Sequence, residues 1–372
     1  MNKFISSEQR YGEKLSSDAI FFRSIALEID NNPDSIENYF EHPAISPLAH
    51  DLAFTCLDRV KFVEALSYGD PGVLIACPGP ALAGLMVQQL GNDSQKEDFF
   101  GFVSREKART FLAVTEPNKG SDAGMMQTRL LPGKTKNSFL IEGEKWLVGH
   151  GATGLSGVLV ARRAEGPLGI CAVLLGPEDL KQVDQVHREK LKMIGLRGAQ
   201  ISRMRFDQLE ISADKILGHH LSPMNRGMMA LIKTFNEMRP GVAAFAVGQA
   251  QAMLDYAVLY LDINTAGRIL LNRLNLELHG VRDLLHHAAW EIIRNPMDGS
   301  KSSLAKLRST HMIEKIANAI LQVSDQSVFV DHPLIRKWSR DAFAYEYMEG
   351  TSIIQMKNIY QGLVHQKYRN MA

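Results

Sequence analysis

The sequence is poor in cysteine and has almost no net charge. Cys56, Cys77 and Cys171 are the only cysteines in 372 residues, and they form no CxxC pair. This spacing argues against a disulfide framework and against a cysteine zinc site. Lysine and arginine number 42 against 41 aspartate and glutamate, a formal net charge of +1. The long-range field of a general nucleic-acid binder is therefore missing, and we expect no nucleic-acid partner.

The chain also lacks the apolar segments that signal export or membrane insertion. Its first residues, MNKFISSEQRYGEKLSSD, contain no apolar stretch of the kind a signal peptide needs, which predicts a cytoplasmic protein. Residues 71–92 carry no charge and are long enough to cross a bilayer. Prolines and glycines interrupt them, however, which favours a shorter buried helix at 81–90 and no membrane partner.

The hydrophobic period changes twice along the chain. Residues 1–111 and 219–372 repeat apolar side chains every three or four positions, which predicts helices. Between them, short segments rich in β-branched and aromatic residues predict strands, at 111–115, 138–148, 157–163, 170–176 and 203–211. The sequence thus predicts an α+β fold, mainly α: an N-terminal helical domain (1–111), a middle antiparallel β-domain (112–218) and a C-terminal four-helix-type bundle (219–372).

Two motifs have ordinary structural interpretations. GHGATG (149–154) matches the GxGxxG fingerprint, but a dinucleotide site needs a helix directly after the glycines, and LSGVLVARR predicts a strand. We expect a hairpin turn there. His287 and Glu291 are four apart on a predicted helix face, without HExxH or a third fixed ligand. Packed or surface histidines are therefore favoured, and no metal site is predicted.

The loop TEPNKGSD (115–122) is the first candidate ligand site. It leaves a predicted strand and presents Gly120 and Ser121. Unblocked backbone N–H groups and a hydroxyl suit the oxygen-rich edge of a ligand. Taken alone, the loop is better explained as an ordinary Asx or ST turn.

The segment MEGTS (348–352) is the second candidate. A predicted helix stops at Gly350, and Thr351 or Ser352 can cap the next helix. Glu349 is thus expected at the end of one helix, where an apolar pocket would raise its pKa toward that of a useful base. Free N–H groups at the start of the next helix suit a carbonyl oxygen or a phosphate. Taken alone, a solvated loop glutamate is the commoner explanation of this segment.

Five segments, in this order and at these separations, together resemble the acyl-CoA dehydrogenase family: FLAVTEPNKGSD, IEGEKW, LKMIGLRGAQISRMRF, NEMRPGVAAFAVGQAQAMLDYA and RKWSRDAFAYEYMEGTSIIQ. The resemblance runs from about residue 90 to about residue 361. It implies FAD as cofactor and the desaturation of an acyl thioester. A carboxylate then takes the proton from the α-carbon while the β-hydrogen leaves as hydride to the flavin.

The resemblance also implies residue roles. Glu349 stands at the position of the family's base, and its backbone N–H would polarise the thioester carbonyl. Some members carry the base one residue before Arg239, but Met238 occupies that position here, and Glu237 should point away. Flavin contacts are implied for Val114, Thr115, Gly120, Ser121, Val148, Gly350, Thr351 and Ser352. Substrate contacts are implied for Ser121, Arg239, Glu349 and Gly350.

The sequence departs from the family where the ADP half of FAD would bind. NTAGR (264–268) replaces RxxFG, and SDQS (324–327) replaces GGxG. KWLVGHG places Gly149 where the family has a polar residue. We expect the ADP half to be held differently or more weakly, with Arg268 as one possible source of positive charge.

With these departures, the chain resembles the carrier-protein-linked dehydrogenases of polyketide and nonribosomal-peptide pathways, which make aminomalonyl-type extender units. The partners implied are an acyl carrier protein or a CoA thioester, an electron acceptor such as an electron-transfer flavoprotein, and further copies of the chain in a homodimer or homotetramer. A conventional short-chain acyl-CoA dehydrogenase, an acyl-CoA oxidase and a catalytically silent binding protein remain open. Docking of an acidic carrier would require a local basic patch, with candidates Arg163, Arg188, Lys190, Lys192, Arg197 and Arg203.

Overall fold

Two helical regions flank a central sheet in the computed structural model, which describes residues 6–50, 53–222, 225–325 and 327–369. The N-terminal helices are α1 (Ser7–Tyr11), α2 (Glu13–Asn31), α3 (Cys56–Gly69), α4 (Pro71–Ala76), α5 (Ala81–Leu90) and α6 (Asp93–Glu106). Capping boxes begin several of them. Thr55 and Asp58 exchange hydrogen bonds at the start of α3, as Asn92 and Gln95 do at the start of α6.

The middle region forms one seven-stranded sheet. Its strands are β1 (Thr110–Ala113), β2 (Arg129–Pro132), β3 (Ser138–Val148), β4 (Ser156–Arg162), β5 (Ile170–Leu175), β6 (Val186–Lys190) and β7 (Ser202–Ser212), with the short helix α7 (Pro177–Leu180) between β5 and β6. Most neighbours are antiparallel, whereas β4 runs parallel to β1 and, at one residue pair, to β2. The strand expected at 138–148 has the predicted bounds. Strands β2 and β6 were not predicted, because each is only four or five residues long and lacks a clear alternation.

The turn at 149–154 corrects one expectation. It leads from β3 into strand β4, not into a helix, so the geometry of a dinucleotide fingerprint is absent there. The turn is not a hairpin, however. β3 pairs with β2 and β7, whereas β4 pairs mainly with β1 and β5.

The C-terminal region consists of long packed helices. They are α8 (Met228–Tyr260), α9 (Thr265–Arg294), α10 (Ser300–Val323), α11 (Val328–Asp331), α12 (Pro333–Asp341) and α13 (Ser352–Arg369). Among the described residues, α8 is the one helix long and apolar enough to cross a membrane, yet 78% of its apolar window is buried within the protein. Packing against α3, α9 and α10 accounts for that composition. The uncharged 71–92 segment instead forms α4 and α5, which are only six and ten residues long.

A buried charge cluster joins the three regions. The Nζ of Lys337 on α12 lies 2.7 Å from Oδ2 of both Asp70 and Asp341. Trp338 donates its indole N–H to Asp70 at 2.9 Å, and the backbone N–H of Leu196 donates to Asp341 at 2.6 Å. The three charged side chains are at most 2% exposed. The cluster therefore fixes α12 against the N-terminal helices and against the β-domain.

Replacing Lys337 should destabilise the protein strongly. We expect Lys337→Met to lower the free energy of unfolding by about 3–5 kcal/mol, because Asp70 and Asp341 would remain buried without their cation. Denaturant unfolding measures this loss. The matched surface change is Lys190→Met, which removes an exposed 2.7 Å pair with Asp34 and should cost less than about 1 kcal/mol. Similar costs for the two variants would contradict the role of the cluster.

Candidate active site

Glu349 lies in a short, strained loop between α12 and α13. The expected helix up to Gly350 is not formed, because α12 ends at Asp341 and a 3-10 turn, Ala344–Tyr347, follows it. Glu349 has φ +47° and Gly350 has φ +99°, so both lie in the left-handed region. A Cβ on Gly350 would come within 3.0 Å of the Gln355 side-chain nitrogen. The left-handed conformation therefore favours glycine at this position, and a Cβ would in addition have to displace neighbouring side chains.

Side chains from three helices hold the backbone of this loop. The carbonyl of Glu349 accepts hydrogen bonds from Arg239 Nε at 3.3 Å and from Gln355 Nε2 at 3.0 Å. The carbonyl of Gly350 accepts from Gln355 Nε2 at 2.8 Å and from Lys306 Nζ at 2.9 Å. The donors come from α8, α10 and α13, so the packing of the bundle determines where the loop lies.

The carboxyl group of Glu349 is poised between its two charge states. The residue as a whole is half-buried, but its Oε2 atom is buried and has no hydrogen-bond partner in the described part of the chain. Burial raises the pKa of Glu349 to about 7, although Lys306 and Arg239 both act to lower it. Near neutral pH this group can therefore accept a proton and release it again.

The two cations near Glu349 are themselves buried. Arg239 is 8% exposed and Lys306 is 0% exposed. Burial lowers the pKa of Arg239 to about 10 and that of Lys306 to about 8. Their hydrogen bonds go to neutral acceptors, the Asn236 side chain and backbone carbonyls. Their charges thus favour negative charge that develops beside them.

The N-terminus of α13 is only partly available to a ligand. α13 begins at Ser352, which puts Thr351 at the capping position. The Ser352 N–H donates to Glu346 Oε1 at 2.7 Å and its hydroxyl donates to Oε2 at 2.5 Å. The expectation of free N–H groups is therefore wrong for Ser352. In the described structure, the N–H groups of Glu349 and Gly350 donate to no protein acceptor and suit a thioester carbonyl.

The β-domain brings a second group of predicted residues together. Lys145 donates to the carbonyl of Val114 at 2.9 Å, and the N–H of Trp146 donates to the carbonyl of Thr115 at 2.8 Å. A Cβ added to Gly120 would lie 3.8 Å from the Thr115 methyl group, so the loop folds back over its strand. Val114, Thr115 and Gly120 therefore form one compact edge.

Glu116 closes the loop that carries Ser121. Its buried carboxylate accepts the N–H groups of Gln127 at 2.6 Å and Thr128 at 2.9 Å, and Lys145 Nζ at 2.9 Å. Burial acts to raise the pKa of Glu116, but Lys145 and these N–H donors outweigh it and the pKa is lowered. Ser121 remains exposed on the closed loop, where its hydroxyl is available to a ligand.

Val148 and Glu237 have less direct places in the site. Val148 is only 2% exposed as a whole residue, and its side chain packs in the core of the sheet. Glu237 lies near Arg59 at 3.4 Å and Gln89 at 3.3 Å. It therefore binds α3 and α5 rather than the Glu349 loop.

Helix α8 runs from one cluster to the other. Its first residue, Met228, lies 3.5 Å from the position of a Cβ on Gly124, in the loop that carries Ser121. Arg239 follows eleven residues later, which is about 16 Å along the helix axis. No hydrogen bond or ion pair joins the two clusters directly within the described residues, so α8 sets their separation.

Lys306 and Gln355 were not among the predicted site residues. Gln355 follows Glu349 by six positions, and its amide binds the carbonyls of Glu349 and Gly350. Lys306 shares the buried face of α10 with Thr310 and Ile313. The sequence did hold a signal for Lys306, because its spacing from the apolar positions of α10 places it on the face of the helix that is buried.

Comparison with known proteins identifies the family. One family model, "Acyl-CoA dehydrogenase, middle domain", matches residues 112–209, and another, "Acyl-CoA dehydrogenase, C-terminal domain", matches residues 225–364. Together they cover more than half of the chain. The chain belongs to the acyl-CoA dehydrogenase family. It is an FAD-dependent oxidoreductase that acts on acyl thioesters.

Individual relatives of this acyl-CoA dehydrogenase family member are distant. A probable medium-chain specific acyl-CoA dehydrogenase of Caenorhabditis briggsae is 27% identical over 81% of this chain and 74% of its own. Butyryl-CoA dehydrogenase from Megasphaera elsdenii has a TM-score of 0.80 at 20% identity, over 98% of this chain and 100% of its own. The prolyl acyl carrier protein oxidase AnaB has a TM-score of 0.80 at 21% identity, over 94% and 98%. The two structural similarities confirm the expected fold.

The residues present fit the ring half of FAD. The exposed hydroxyl of Ser121 and the side-chain-free Gly120 beside Thr115 suit a planar ring with polar edges. Among the described residues, the segments that replace the family's ADP-binding motifs offer no comparable match for the ADP half. Arg268 donates to the carbonyl of Ile263 at 3.1 Å, so its Nε is directed back to its own helix start. Gln326, in the segment that replaces GGxG, lies outside the described residues.

The raised pKa of Glu349 should appear as a pH-dependent stability. The folded-state pKa of about 7 exceeds the ordinary value of 4.5. The contribution of this group to the free energy of unfolding is therefore fully present below about pH 4.5 and is lost as the pH rises through 7. We expect Glu349→Gln to match the wild type in acid and to exceed it at pH 8, by about 1–3 kcal/mol. Unfolding at several pH values measures this difference. Glu142→Gln, an exposed change on β3, should show no such trend, and an equally flat profile for Glu349→Gln would contradict the raised pKa.

Proposed function

We propose that this enzyme oxidises a small acyl thioester tethered to an acyl carrier protein, in the synthesis of an aminomalonyl-type extender unit, with Glu349 as the base. The observation that carries the chemistry is the buried, unpartnered Oε2 of Glu349 beside two buried cations. FAD, when bound, supplies the hydride acceptor. Glu349 Oε2 removes the proton from the α-carbon, and its pKa near neutrality makes that transfer effective.

Charge on the substrate oxygen is stabilised by groups that are already in place. As the α-proton leaves, negative charge develops on the thioester carbonyl oxygen. The uncommitted N–H of Glu349 is a donor for that oxygen, and the positive charges of Arg239 and Lys306 lower the energy of the anionic transition state. Because these groups are fixed by the bundle, little reorganisation accompanies the reaction.

The carrier-bound substrate is supported by two observations. The first is the similarity in fold to a prolyl acyl carrier protein oxidase. The second is that a phosphate group would find two arginines in one cavity. Arg163 and Arg226, with His219, line a cavity of about 230 Å³ beside the β4–β5 loop. A phosphopantetheine arm carries a phosphate that these cations would attract.

The other basic-patch candidates are mostly used within the protein. Lys190 pairs with Asp34 at 2.7 Å, and Arg203 pairs with Glu144 at 2.7 Å. Internal partners, a backbone carbonyl or a carboxylate, also engage Arg188 and Arg197. Lys192 is exposed. Docking is therefore proposed at the Arg163 cavity and not across a broad basic patch.

Removing the carboxylate of Glu349 should separate cofactor binding from chemistry. We expect Glu349→Gln to bind FAD as the wild type does but to slow the anaerobic bleaching of the flavin by substrate about 10²–10⁴-fold, because the proton acceptor is gone. Stopped-flow absorbance measures the bleaching. Glu237→Gln, a neighbouring change on α8, should retain it within a few-fold. Wild-type bleaching in Glu349→Gln would mean that the base lies elsewhere.

The nature of the thiol carrier is tested by offering one acyl group in two forms. We expect kcat/KM to be at least about tenfold higher for the carrier-bound acyl group than for its CoA thioester, because a carrier adds protein contacts to the same arm. Equal or better turnover of the CoA thioester would instead identify a conventional short-chain acyl-CoA dehydrogenase. Oxygen consumption in the same assay identifies an oxidase such as AnaB.

A further inference from the structure

Lys306 is a buried cation whose hydrogen bonds go to the two ends of the Glu349 loop. Its Nζ lies 3.1 Å from the carbonyl oxygen of Glu346 and 2.9 Å from that of Gly350. The side chain is 0% exposed. A buried ammonium is costly unless its surroundings compensate it, and an apolar residue would fill this position on α10 more cheaply. The lysine therefore has a task that hydrophobic packing does not explain.

We propose that Lys306 is a positioning residue that holds the Glu349 loop in the left-handed conformation required for proton abstraction. This inference rests on the proposed role of Glu349 as the base. Lys306 holds the loop by its backbone carbonyls, and we assign it no contact with substrate or cofactor.

The loop needs such support because its conformation is unfavourable by itself. A residue with a Cβ rarely adopts φ +47°, as Glu349 does. The carbonyls of Glu346 and Gly350 bracket that residue, and Lys306 bridges them with one charged group. A charged donor forms stronger hydrogen bonds than a neutral one, which suits a clamp over a strained segment.

A second clamp closes the loop on its outer side. The carboxylate of Glu346 binds the N–H and the hydroxyl of Ser352. Lys306 is the inner counterpart, and it closes the same segment from α10. Between these clamps, Arg239 and Gln355 bind the carbonyl of Glu349. The carboxyl group thus keeps its place even though its own Oε2 has no protein partner.

The charge of Lys306 also acts on the base. The charged and titratable groups around it are Arg239 on α8, His311 and Glu314 on α10, Glu346 in the 3-10 turn and Glu349 itself. Lys306 lowers the pKa of Glu349 against the effect of burial. Removing the charge should therefore raise that pKa and move the acid limb of the pH–rate profile to higher pH.

The test compares two lysine variants in the full-length, FAD-loaded protein. Lys306→Met removes the donor and the charge, whereas Lys306→Gln removes the charge but keeps an N–H donor on a shorter side chain. Thr310→Val is the matched control, because Thr310 lies one turn further along the same buried face and its hydroxyl has no partner among the described residues. Amide hydrogen exchange across residues 345–352, recorded without substrate, reports the loop directly.

We expect Lys306→Met to speed exchange in this segment roughly tenfold or more, and Lys306→Gln to restore part of the protection. With substrate, Lys306→Met should lower kcat about 10- to 100-fold with KM changed much less, because the base is misplaced while binding persists. Both lysine variants should move the acid limb to higher pH. Thr310→Val should change none of these quantities.

Wild-type loop exchange and wild-type kcat in a folded Lys306→Met protein would overturn the proposal. If that variant does not fold, Lys306→Gln provides the test. An acid limb of the pH–rate profile at its wild-type position, together with wild-type exchange across residues 345–352, would overturn the proposal equally. The exchange measurement uses no substrate and does not depend on the reaction. The two proposals can therefore fail separately. If Glu349→Gln retained flavin bleaching while Lys306→Met exchanged faster in the loop, the assignment of the base would be wrong, but the role of Lys306 in holding the loop would be supported.

Discussion

The burial of one carboxyl group, that of Glu349, is the constraint on which the active site depends. A buried carboxylate is costly, and the protein offsets that cost with two buried cations that bind carbonyls instead of the carboxylate itself. A direct salt bridge would hold the proton acceptor in its charged form and lower its pKa well below neutrality. Because Arg239 and Lys306 bind the loop carbonyls and not the carboxyl group, that group is still able to take up a proton.

Three buried lysines, one in the sheet and two in the C-terminal helices, serve different purposes in this protein. Lys145, Lys306 and Lys337 are each at most 2% exposed. Lys145 pairs with Glu116 and closes the Ser121 loop, and Lys337 pairs with Asp70 and Asp341 and joins the regions. Lys306 differs, because its hydrogen bonds go to backbone carbonyls. The buried lysine that is not neutralised by a direct carboxylate contact is the one beside the base.

Local pattern predicted much of the fold but not the shape of the site. Strand 138–148 and the long C-terminal helices follow from hydrophobic period alone. β2 and β6 were not predicted, because strands of four and five residues that contain arginine, proline and glutamate show no clear alternation of apolar and polar side chains. The hairpin expected at 149–154 failed because a turn motif does not specify which strands pair. Glu349 was placed by its motif, whereas the 3-10 turn before it depends on contacts from α8, α10 and α13 that are distant in sequence.

The most direct test of this account is a titration of the Glu349 carboxyl itself. Difference infrared spectroscopy of the FAD-loaded protein, with Glu349→Gln as the blank, isolates the carbonyl stretch of the protonated side chain. We expect a midpoint of about 7, which places proton abstraction within reach of neutral pH. A midpoint near 4.5, the ordinary value for glutamate, would show a solvated carboxylate and would contradict the central claim.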